Sequence, residues 1–304
     1  MASHINTVTA TRISQEPDML GESPVWDDRR QRLYWVDGTA CKIRYHDIGS
    51  TGCHSIDTPS IVGSVGLTED GGLVAGLVDG FYLVDVESGA VKPLYIPEHQ
   101  NEHARFNDGK VDRQGRFVCG GMGVQAEPVG ELMRVSADGS AQVLANGIRI
   151  ANTLGFSPNG DMMYFSDSLD RIIRAYSYGA DDAALTEPRM FADTQRFASS
   201  PDGATVDSEG CLWVALVQAG KIARFTPDGE LDRMVQAPTD MPTCMAFGGP
   251  DLTTLFVTSI KNSGSGRAIS RHPLGGHLFA IEGLGVAGLP EPRLGQHQGA
   301  MKND

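Results

Sequence analysis

Apolar residues in this chain come in short runs that are broken by Asp, Asn and Gly. Six stretches share one order of apolar strand, polar turn and second apolar strand: Val25–Asp37, Gly66–Leu77, Val111–Gly121, Gly155–Asp167, Thr205–Ala215 and Ala246–Ser259. Turns such as Asp70-Gly71 and Asn159-Gly160 favour tight hairpins, because these residues tolerate positive φ. No segment keeps a helical apolar period over roughly 12 residues, so the pattern predicts an all-β fold with little helix.

The hairpins repeat at a nearly constant spacing. A third apolar strand follows each of them: Lys42–Ile48, Gly80–Val86, Gly130–Ser136, Arg171–Tyr178, Gly220–Thr226 and Gly276–Glu282. The turn glycines Gly71, Gly115, Gly160 and Gly210 are 44, 45 and 50 residues apart. This period is typical of four-stranded propeller blades, and six blades of about 50 residues account for the whole chain. The sequence therefore predicts a six-bladed β-propeller that forms a single domain over residues 1–304.

One early strand, Ile5–Ile13, has no hairpin of its own. We expect it to pair beside Leu278–Ile281 and complete the last blade, which would remove an exposed strand edge. Just after that blade, Gly283-Leu-Gly-Val-Ala-Gly288 matches the glycine pattern of a dinucleotide-binding loop. Leu289-Pro290-Glu291-Pro292 comes next, and two prolines there exclude the helix that such a loop requires.

Polar side chains recur at one phase of the repeat. Four residues before the strand residues Trp26, Leu67, Val111, Phe156, Val206 and Phe247 stand Glu22, Gly63, Asn107, Asn152, Asp202 and Thr243. Equivalent phase means equivalent position around the axis of a closed ring, so the four carboxylate and carboxamide side chains are expected to converge. Oxygen donors that converge from separate blades indicate a metal site. The alternative interpretation is that they only cap strand ends.

Composition narrows the range of partners. The formal net charge is -13, which disfavours nucleic acid and anionic membranes. The N-terminus lacks the basic and apolar regions of a secretory signal, and no apolar run reaches the roughly 18 residues of a membrane span. The five cysteines include no C-x-x-C pair, and Cys119 and Cys211 lie inside apolar strands, as small core residues do. We expect a cytoplasmic protein, either a monomer or a small homo-oligomer.

Several motifs resemble those of the SMP-30/gluconolactonase (regucalcin-like) family. They are Gly21-Glu-Ser-Pro-Val-Trp26, Arg105-Phe-Asn-Asp-Gly-Lys-Val-Asp112, Asn152 ahead of Phe156-Ser-Pro-Asn-Gly160, Pro201-Asp-Gly203 ahead of Leu212-Trp-Val-Ala215, and Gly275-Gly-His-Leu-Phe-Ala-Ile-Glu-Gly-Leu-Gly285. The resemblance extends in order and register over residues 15–288. It implies a six-bladed β-propeller that holds one divalent cation in a central tunnel.

By this resemblance, Glu22, Asn152 and Asp202 are the metal ligands. One Glu, one Asp and one Asn form an all-oxygen, dianionic set with few protein ligands, which suits Ca²⁺, Mg²⁺, Mn²⁺ or Fe²⁺ better than a thiolate metal. Zn²⁺ is also a candidate. An open cation can polarise an ester carbonyl and lower the pKa of bound water. The resemblance also gives Asp202 the role of general base.

The substrate side of the pocket rests on three further residues. By resemblance, Arg105 and Asn107 hold substrate hydroxyls, and Gln125 occupies the lid-side substrate position. Here the chain departs from the family pattern. Gln125 stands where regucalcin has an acid, Gly121 replaces a Thr, and Thr153 stands where Gly is frequent. The resemblance therefore describes the substrate end less completely than the metal end.

The function expected from these residues is hydrolysis of a sugar-acid lactone, of the aldonolactone or gluconolactone type, to the free acid. Asp202 would take a proton from the attacking water, while Arg105 and Asn107 would orient ring hydroxyls or a charged tail. One alternative is a phosphotriesterase-like hydrolase with the same site. Another is a non-catalytic calcium-binding propeller, which would have no Arg or Asn beside the cation. His103 is interpreted as a surface-loop residue.

Overall fold

The strands of this protein form successive sheets around a ring. A computed structural model describes residues 8–99, 101–179, 185, 187–266 and 268–295. A short strand, β1 (Thr9–Arg12), precedes the first sheet. The first blade contains β2 (Gly21–Asp27), β3 (Arg32–Asp37), β4 (Lys42–Asp47) and β5 (His54–Asp57). The second contains β6 (Val62–Thr68), β7 (Leu73–Leu77), β8 (Phe81–Val84) and β9 (Val91–Tyr95).

The remaining blades repeat this order. The third contains β10 (Ala104–Val111), β11 (Phe117–Gly123), β12 (Gly130–Val135) and β13 (Ala141–Ile148). The fourth contains β14 (Ala151–Phe156), β15 (Met162–Asp167), β16 (Ile172–Ser177) and β17 (Arg189–Asp193). The fifth contains β18 (Pro201–Val206), β19 (Leu212–Leu216), β20 (Lys221–Phe225) and β21 (Leu231–Gln236). The sixth contains β22 (Pro242–Gly248), β23 (Thr254–Ser259) and β24 (Phe279–Glu282), and β1 is its outer strand.

The sixth blade closes the ring as the sequence predicts. Strand β1 pairs antiparallel with β24, with Thr9 opposite Glu282 and Arg12 opposite Phe279. Each first strand packs against the first strand of the next blade, and β22 packs against β2. The prediction of an all-β, six-bladed propeller is therefore confirmed. The predicted strand Ile5–Ile13 is confirmed over residues 9–12, whereas residues 5–7 lie outside the described residues.

Helical structure is limited to three short 3₁₀ segments. These are Ser168–Asp170, Gln195–Phe197 and Val217–Ala219, and the described residues contain no α-helix. The low helix content predicted from the apolar pattern is therefore confirmed. Within the described ranges, no helix is long and apolar enough to cross a membrane.

The hydrophobic core is divided among the interfaces between neighbouring blades. Six clusters of buried side chains each join two adjacent blades. Where the first and sixth blades meet, Trp26 stacks on Phe256 with ring centroids 5.9 Å apart. Strands buried on both faces explain the continuous apolar runs in the sequence. Cys119 and Cys211 are buried and free, so their prediction as core residues is confirmed.

A C-terminal strap, residues 283–295, crosses one rim of the ring. We call this rim the lower end, because there the first strand of each blade turns into the second. The carbonyl of Pro290 accepts a hydrogen bond from Arg113 Nη1 at 2.9 Å. Farther on, β25 (Arg293–Leu294) pairs in parallel with β6, and Arg293 Nη2 lies 2.7 Å from Asp27 Oδ1. The chain beyond the Gly283–Gly288 motif is thus extended, as its prolines require.

Candidate functional site

The predicted site lies at the upper end of the ring, where the first strand of each blade begins. In all six blades the pairing of first and second strand is interrupted by one extra residue near this end. The shifts fall between Glu22 and Val25, Val62 and Ser64, Phe106 and Gly109, Asn152 and Gly155, Pro201 and Ala204, and Pro242 and Met245. Bulges re-aim side chains, and each predicted ligand or substrate residue on these strands lies at or beside one. The shared phase in the sequence therefore reflects a shared bulge.

Two of the bulges hold a non-glycine residue in the left-handed region. Ser23 has φ 48° and Thr153 has φ 61°, a conformation that costs energy and persists where surrounding contacts enforce it. Here the contacts are hydrogen bonds between the side-chain hydroxyl and the backbone of the next blade. Ser23 Oγ accepts from the backbone N–H of Val65 at 3.0 Å, and Thr153 Oγ1 donates to the carbonyl of Asp202 at 2.8 Å. Thr153, one of the departures from the family pattern, thus ties Asn152 to the strand of Asp202.

The structure brings the two predicted carboxylate ligands close together. Burial raises the pKa of Glu22 well above its usual range, and the charge of Asp202 raises it further. Burial likewise raises the pKa of Asp202, with a second contribution from the charge of Asp108. Within the described part of the chain, neither Glu22 nor Asp202 forms a salt bridge with Lys, Arg or His. Two neighbouring carboxylates, one buried and one partly buried, without a salt bridge to either, favour a proton or a cation between them.

Hydrogen bonds between their side-chain amides connect the two predicted asparagines. Asn107 Nδ2 donates to the carbonyl of Ala151 at 2.9 Å and to Asn152 Oδ1 at 3.2 Å. Asn152 Nδ2 donates in turn to Ser168 Oγ at 2.8 Å. These contacts fix both amide groups, and they leave Asn152 Oδ1 with a lone pair for one more partner. The third and fourth blades therefore meet at the site through side chains, as the phase predicts.

Arg105 lies beside this amide pair. Its Nη1 donates to Asn107 Oδ1 and to the carbonyl of Phe106, both at 2.9 Å. Burial lowers the pKa of Arg105 to about 10, and the nearby charge of Glu22 acts in the opposite direction. The guanidinium is therefore charged at neutral pH. No described residue accepts a hydrogen bond from its Nε or Nη2, so these groups remain for a ligand.

Gln125, the third predicted substrate residue, lies elsewhere on the upper rim. It occupies the exposed turn after β11, and its backbone N–H donates to Glu127 Oε2 at 2.8 Å. The neighbouring N–H of Val124 donates to the carbonyl of His103 at 2.7 Å. His103 itself is exposed, as expected of a surface-loop residue. The role of Gln125 toward a substrate stays a prediction.

The sequence analysis missed Asp108, a charged residue at the site, and Lys110, which lies farther down the same strand and interacts electrostatically with Asp108. Asp108 is 7% exposed and accepts a hydrogen bond from the N–H of Leu154 at 2.9 Å. Burial raises its pKa, and its own charge raises that of Glu22 and Asp202. Burial lowers the pKa of Lys110. The charges of Glu291 and Asp108 raise it, and the net shift of the pKa is upward. Asp108 directly follows Asn107 on β10 and Lys110 lies two residues farther along, and this clustering of polar residues on one first strand was the available signal.

The donor set fits a hard divalent cation. It consists of the carboxylates of Glu22 and Asp202 and the amide oxygen of Asn152, and neither carboxylate forms a salt bridge among the described residues. Among the residues that the structure describes, no group of three or more His, Cys, Asp and Glu side chains forms a metal site. The third donor of this set is an amide, which lies outside those four residue types. Oxygen donors of this kind suit Ca²⁺, Mg²⁺ or Mn²⁺.

Comparison with known proteins places this chain in a family. A profile described as SMP-30/Gluconolactonase/LRE-like region matches residues 20–261. The chain is 36% identical to 6-deoxy-6-sulfogluconolactonase from Pseudomonas putida, over 92% of this chain and 96% of that protein. It is 33% identical to the pentonolactonase XacC from Haloferax volcanii, over 94% of this chain and 98% of that protein.

A solved structure agrees with the same assignment. The crystal structure of regucalcin from Agrobacterium tumefaciens, described as a calcium-binding protein, superposes with a TM-score of 0.87 at 26% identity. The superposition covers 94% of this chain and 97% of that one. The family resemblance inferred from the motifs is confirmed. This chain belongs to the SMP-30/gluconolactonase/LRE-like family.

Proposed function

We propose that this protein is a metal-dependent lactonase that opens a sugar-acid lactone to the free acid. The observation that carries the proposal is a pair of neighbouring carboxylates, the partly buried Glu22 and the buried Asp202, neither of which forms a salt bridge among the described residues. The names of two relatives, a sulfogluconolactonase and a pentonolactonase, support the same substrate class. The chain acts as a single propeller domain, and its substrate is a small molecule.

The proposed cation ligands are Glu22, Asn152 and Asp202. A bound divalent cation supplies electrophilic polarisation of the ester carbonyl. The protein's contribution is to hold three oxygen donors from three different blades in fixed positions. The bulges position these donors, and the hydrogen bonds of the Ser23 and Thr153 hydroxyls hold them in place, because they link neighbouring first strands next to the donors. Ca²⁺, Mg²⁺, Mn²⁺, Zn²⁺ and Fe²⁺ are the candidate ions.

Asp202 is the proposed general base. Its carboxylate accepts the proton of the attacking water, whose oxygen bonds to the carbonyl carbon of the lactone. The bond between that carbon and the ring oxygen then breaks, and the ring oxygen takes up the proton. A hydrogen bond from the N–H of Gly203 favours the ionised form of Asp202. The bond from Thr153 holds its backbone carbonyl, which fixes the direction of the side chain.

Arg105 and Asn107 are the proposed substrate-orienting residues. Asn107 is fixed by its bonds to Ala151 and Asn152, and its Oδ1 is held by Arg105. The unused Nε and Nη2 of Arg105 can donate two hydrogen bonds to adjacent hydroxyls. A propeller that only stored calcium would have no need of an arginine beside its anionic site. The position of Arg105 therefore supports catalysis over simple cation binding.

A panel of aldonolactones tests the proposal. Hydrolysis is followed with a pH indicator in protein that has been exhaustively chelated, and again after each candidate cation is returned separately. We expect at least one lactone to be hydrolysed with metal and none after chelation. Full activity in protein shown to be metal-free would contradict the role of the cation. No hydrolysis of any lactone by the metal-loaded protein would contradict the proposed function itself.

A further inference from the structure

A cleft opens on the upper face between the second and third blades, on the outer side of Arg105. Its volume is about 390 Å³, within the roughly 300–1,000 Å³ of small-molecule sites. Arg105 and Phe106 line its inner part, and Val78, Val129 and Glu131 line it farther out. Arg105 thus belongs both to the cleft and to the hydrogen-bonded chain that leads through Asn107 to Asn152. A substrate held by Arg105 therefore has room to extend outward into the cleft.

The walls of the cleft combine apolar surface with carboxylates. Val78, Val129 and Phe106 contribute aliphatic and aromatic surface. Asp79, Glu102 and Glu131 contribute carboxylates. The hydroxyl of Tyr82 donates to Asp79 Oδ2 at 2.9 Å and fixes it at the edge. Three carboxylates facing one guanidinium give the cleft negative charge, which repels an anionic substituent.

The cleft is open where this chain departs from the family pattern. Gly121, which replaces the Thr of the family motif, lines the cleft next to Gly130. A Cβ at position 121 would lie 3.1 Å from the backbone nitrogen of Glu131 and 3.3 Å from its carbonyl oxygen. A Cβ at position 130 would approach the carbonyl oxygen of Gly121 to 2.6 Å. The two glycines therefore let β11 and β12 approach closely without a side chain entering the cleft.

We infer that this cleft is a distal subsite that binds a neutral, hydroxylated extension of the lactone, such as a glycosyl unit. The inference rests on the proposed lactonase function and names the substrate class of that site. The hydroxyls of a sugar ring donate to the carboxylates of Asp79, Glu102 and Glu131, and its apolar face packs on Val78 and Val129. Arg105 holds the hydroxyls at the junction between the lactone ring and the extension.

Three lactones separate this subsite from the reaction itself. Gluconolactone has no extension, lactobionolactone carries a neutral galactosyl unit, and 6-phosphogluconolactone carries an anionic group. We expect kcat/KM for lactobionolactone to equal or exceed that for gluconolactone, and to exceed that for 6-phosphogluconolactone by about tenfold or more. Val129→Trp, which fills the cleft, should lower kcat/KM for lactobionolactone by about tenfold and leave gluconolactone nearly unchanged.

Two control variants complete the test. Val143→Trp places the same side chain on the exposed strand β13 of the same blade, and it should change none of the three rates. Glu131→Gln removes one carboxylate, and it should raise the rate with 6-phosphogluconolactone relative to lactobionolactone. Hydrolysis of gluconolactone without lactobionolactone, or an equal loss on all three lactones in Val129→Trp, would overturn the subsite alone. Absence of hydrolysis with all three would overturn the proposed function as well.

Discussion

The two ends of the first strands carry similar residues in opposite circumstances. Each polar residue at the upper end is followed, five residues later in the chain, by a polar residue at or just past the lower end of the same strand. The pairs are Glu22 and Asp27, Asn107 and Asp112, Asn152 and Ser157, and Asp202 and Asp207. At the lower end, the carboxylates are surrounded by donors. At the upper end, the carboxylates lie against one another. One strand thus has a stabilising end and a reactive end.

Asp207 shows what the lower end provides. It is fully buried and accepts hydrogen bonds from Trp213 Nε1 and Arg224 Nε, each at 2.8 Å. Two turn amides, of Glu209 and Cys211, also donate to it at 3.0 Å. Asp202, on the same strand, receives one backbone bond from Gly203 and has burial and a neighbouring carboxylate against it. Satisfied charges stabilise the fold, whereas unsatisfied ones are characteristic of functional sites.

Asp202→Asn should produce the largest effect on activity. The amide can still offer an oxygen to a cation but cannot accept a proton, so a loss on the order of 10²–10⁴ in kcat is expected. The folded structure should remain intact, because no described Lys, Arg or His side chain forms a salt bridge with this carboxylate. Steady-state kinetics and a thermal melt measure the two properties separately. The control is Asp228→Asn in an exposed turn of the same blade, and near-normal turnover in Asp202→Asn would show that another residue is the base.

Asp207→Ala should lower stability and leave activity unchanged, the reverse of Asp202→Asn. It leaves Arg224 Nε, Trp213 Nε1 and two turn amides without their acceptor, which should lower the free energy of unfolding by about 3–5 kcal/mol. The remaining folded protein should keep its kcat, since the upper end is unchanged. Denaturant unfolding measures the loss. Asp232→Ala serves as the control, because Asp232 also pairs with Arg224 but is 32% exposed, and its loss should be below about 1 kcal/mol. Equal losses in both variants would contradict the comparison.

Arg105→Ala should weaken substrate binding while leaving the cation in place. The guanidinium offers two parallel hydrogen bonds that an alanine cannot replace. The transition-state stabilisation calculated from kcat/KM should therefore fall by about 2–3 kcal/mol. Arg105→Lys should recover part of the loss, because an ammonium lacks the planar fork. Elemental analysis should find the same metal content as in the unsubstituted protein. Arg105→Ala that purifies without metal would assign the residue to the cation site instead.

Glu22→Gln should produce the smallest effect of the four substitutions. It should stabilise the chelated protein by on the order of 1 kcal/mol, because it removes a partly buried charge beside Asp202. The pKa of Glu22 is raised on folding. Its contribution to stability is therefore fully present below its ordinary pKa of 4.5 and is lost as pH rises through the raised value. The difference in Tm between Glu22→Gln and the unsubstituted protein should grow with pH over that range. With cation added, the order should reverse, and a difference independent of pH would contradict this account.

Much of this architecture could be predicted from local signals. The hairpin turns and the apolar runs identify the first two strands of each blade, which are buried on both faces, and the third strand, which in several blades alternates between buried and partly exposed positions. The outer strands are less apparent, since half-exposed segments such as Leu231–Gln236 carry a mixed sequence. β25 could not be predicted, because a two-residue strand that pairs with β6 depends on contacts between residues far apart in the chain.

The site shows the same division. Glu22, Asn107, Asn152 and Asp202 share a phase, so their convergence follows from the symmetry of the ring. Asp108 could not be predicted from this symmetry, because it lies one residue past the shared phase and reaches the site only through the bulge in β10. Side-chain partners such as the Thr153 hydroxyl also require the packing of two particular blades.

The strap at the lower rim has a consequence for how the protein is made. Residues 283–295 follow all six blades in chain order, yet they contact turns of early and late blades alike. Gly288 donates to the carbonyl of Leu252, Gly295 to that of Gly115, and Arg293 binds Asp27. A growing chain can form individual blades while it is being synthesised, but these cross-links form only after the strap has left the ribosome. We therefore expect the final gain in resistance to proteolysis to coincide with release of this segment.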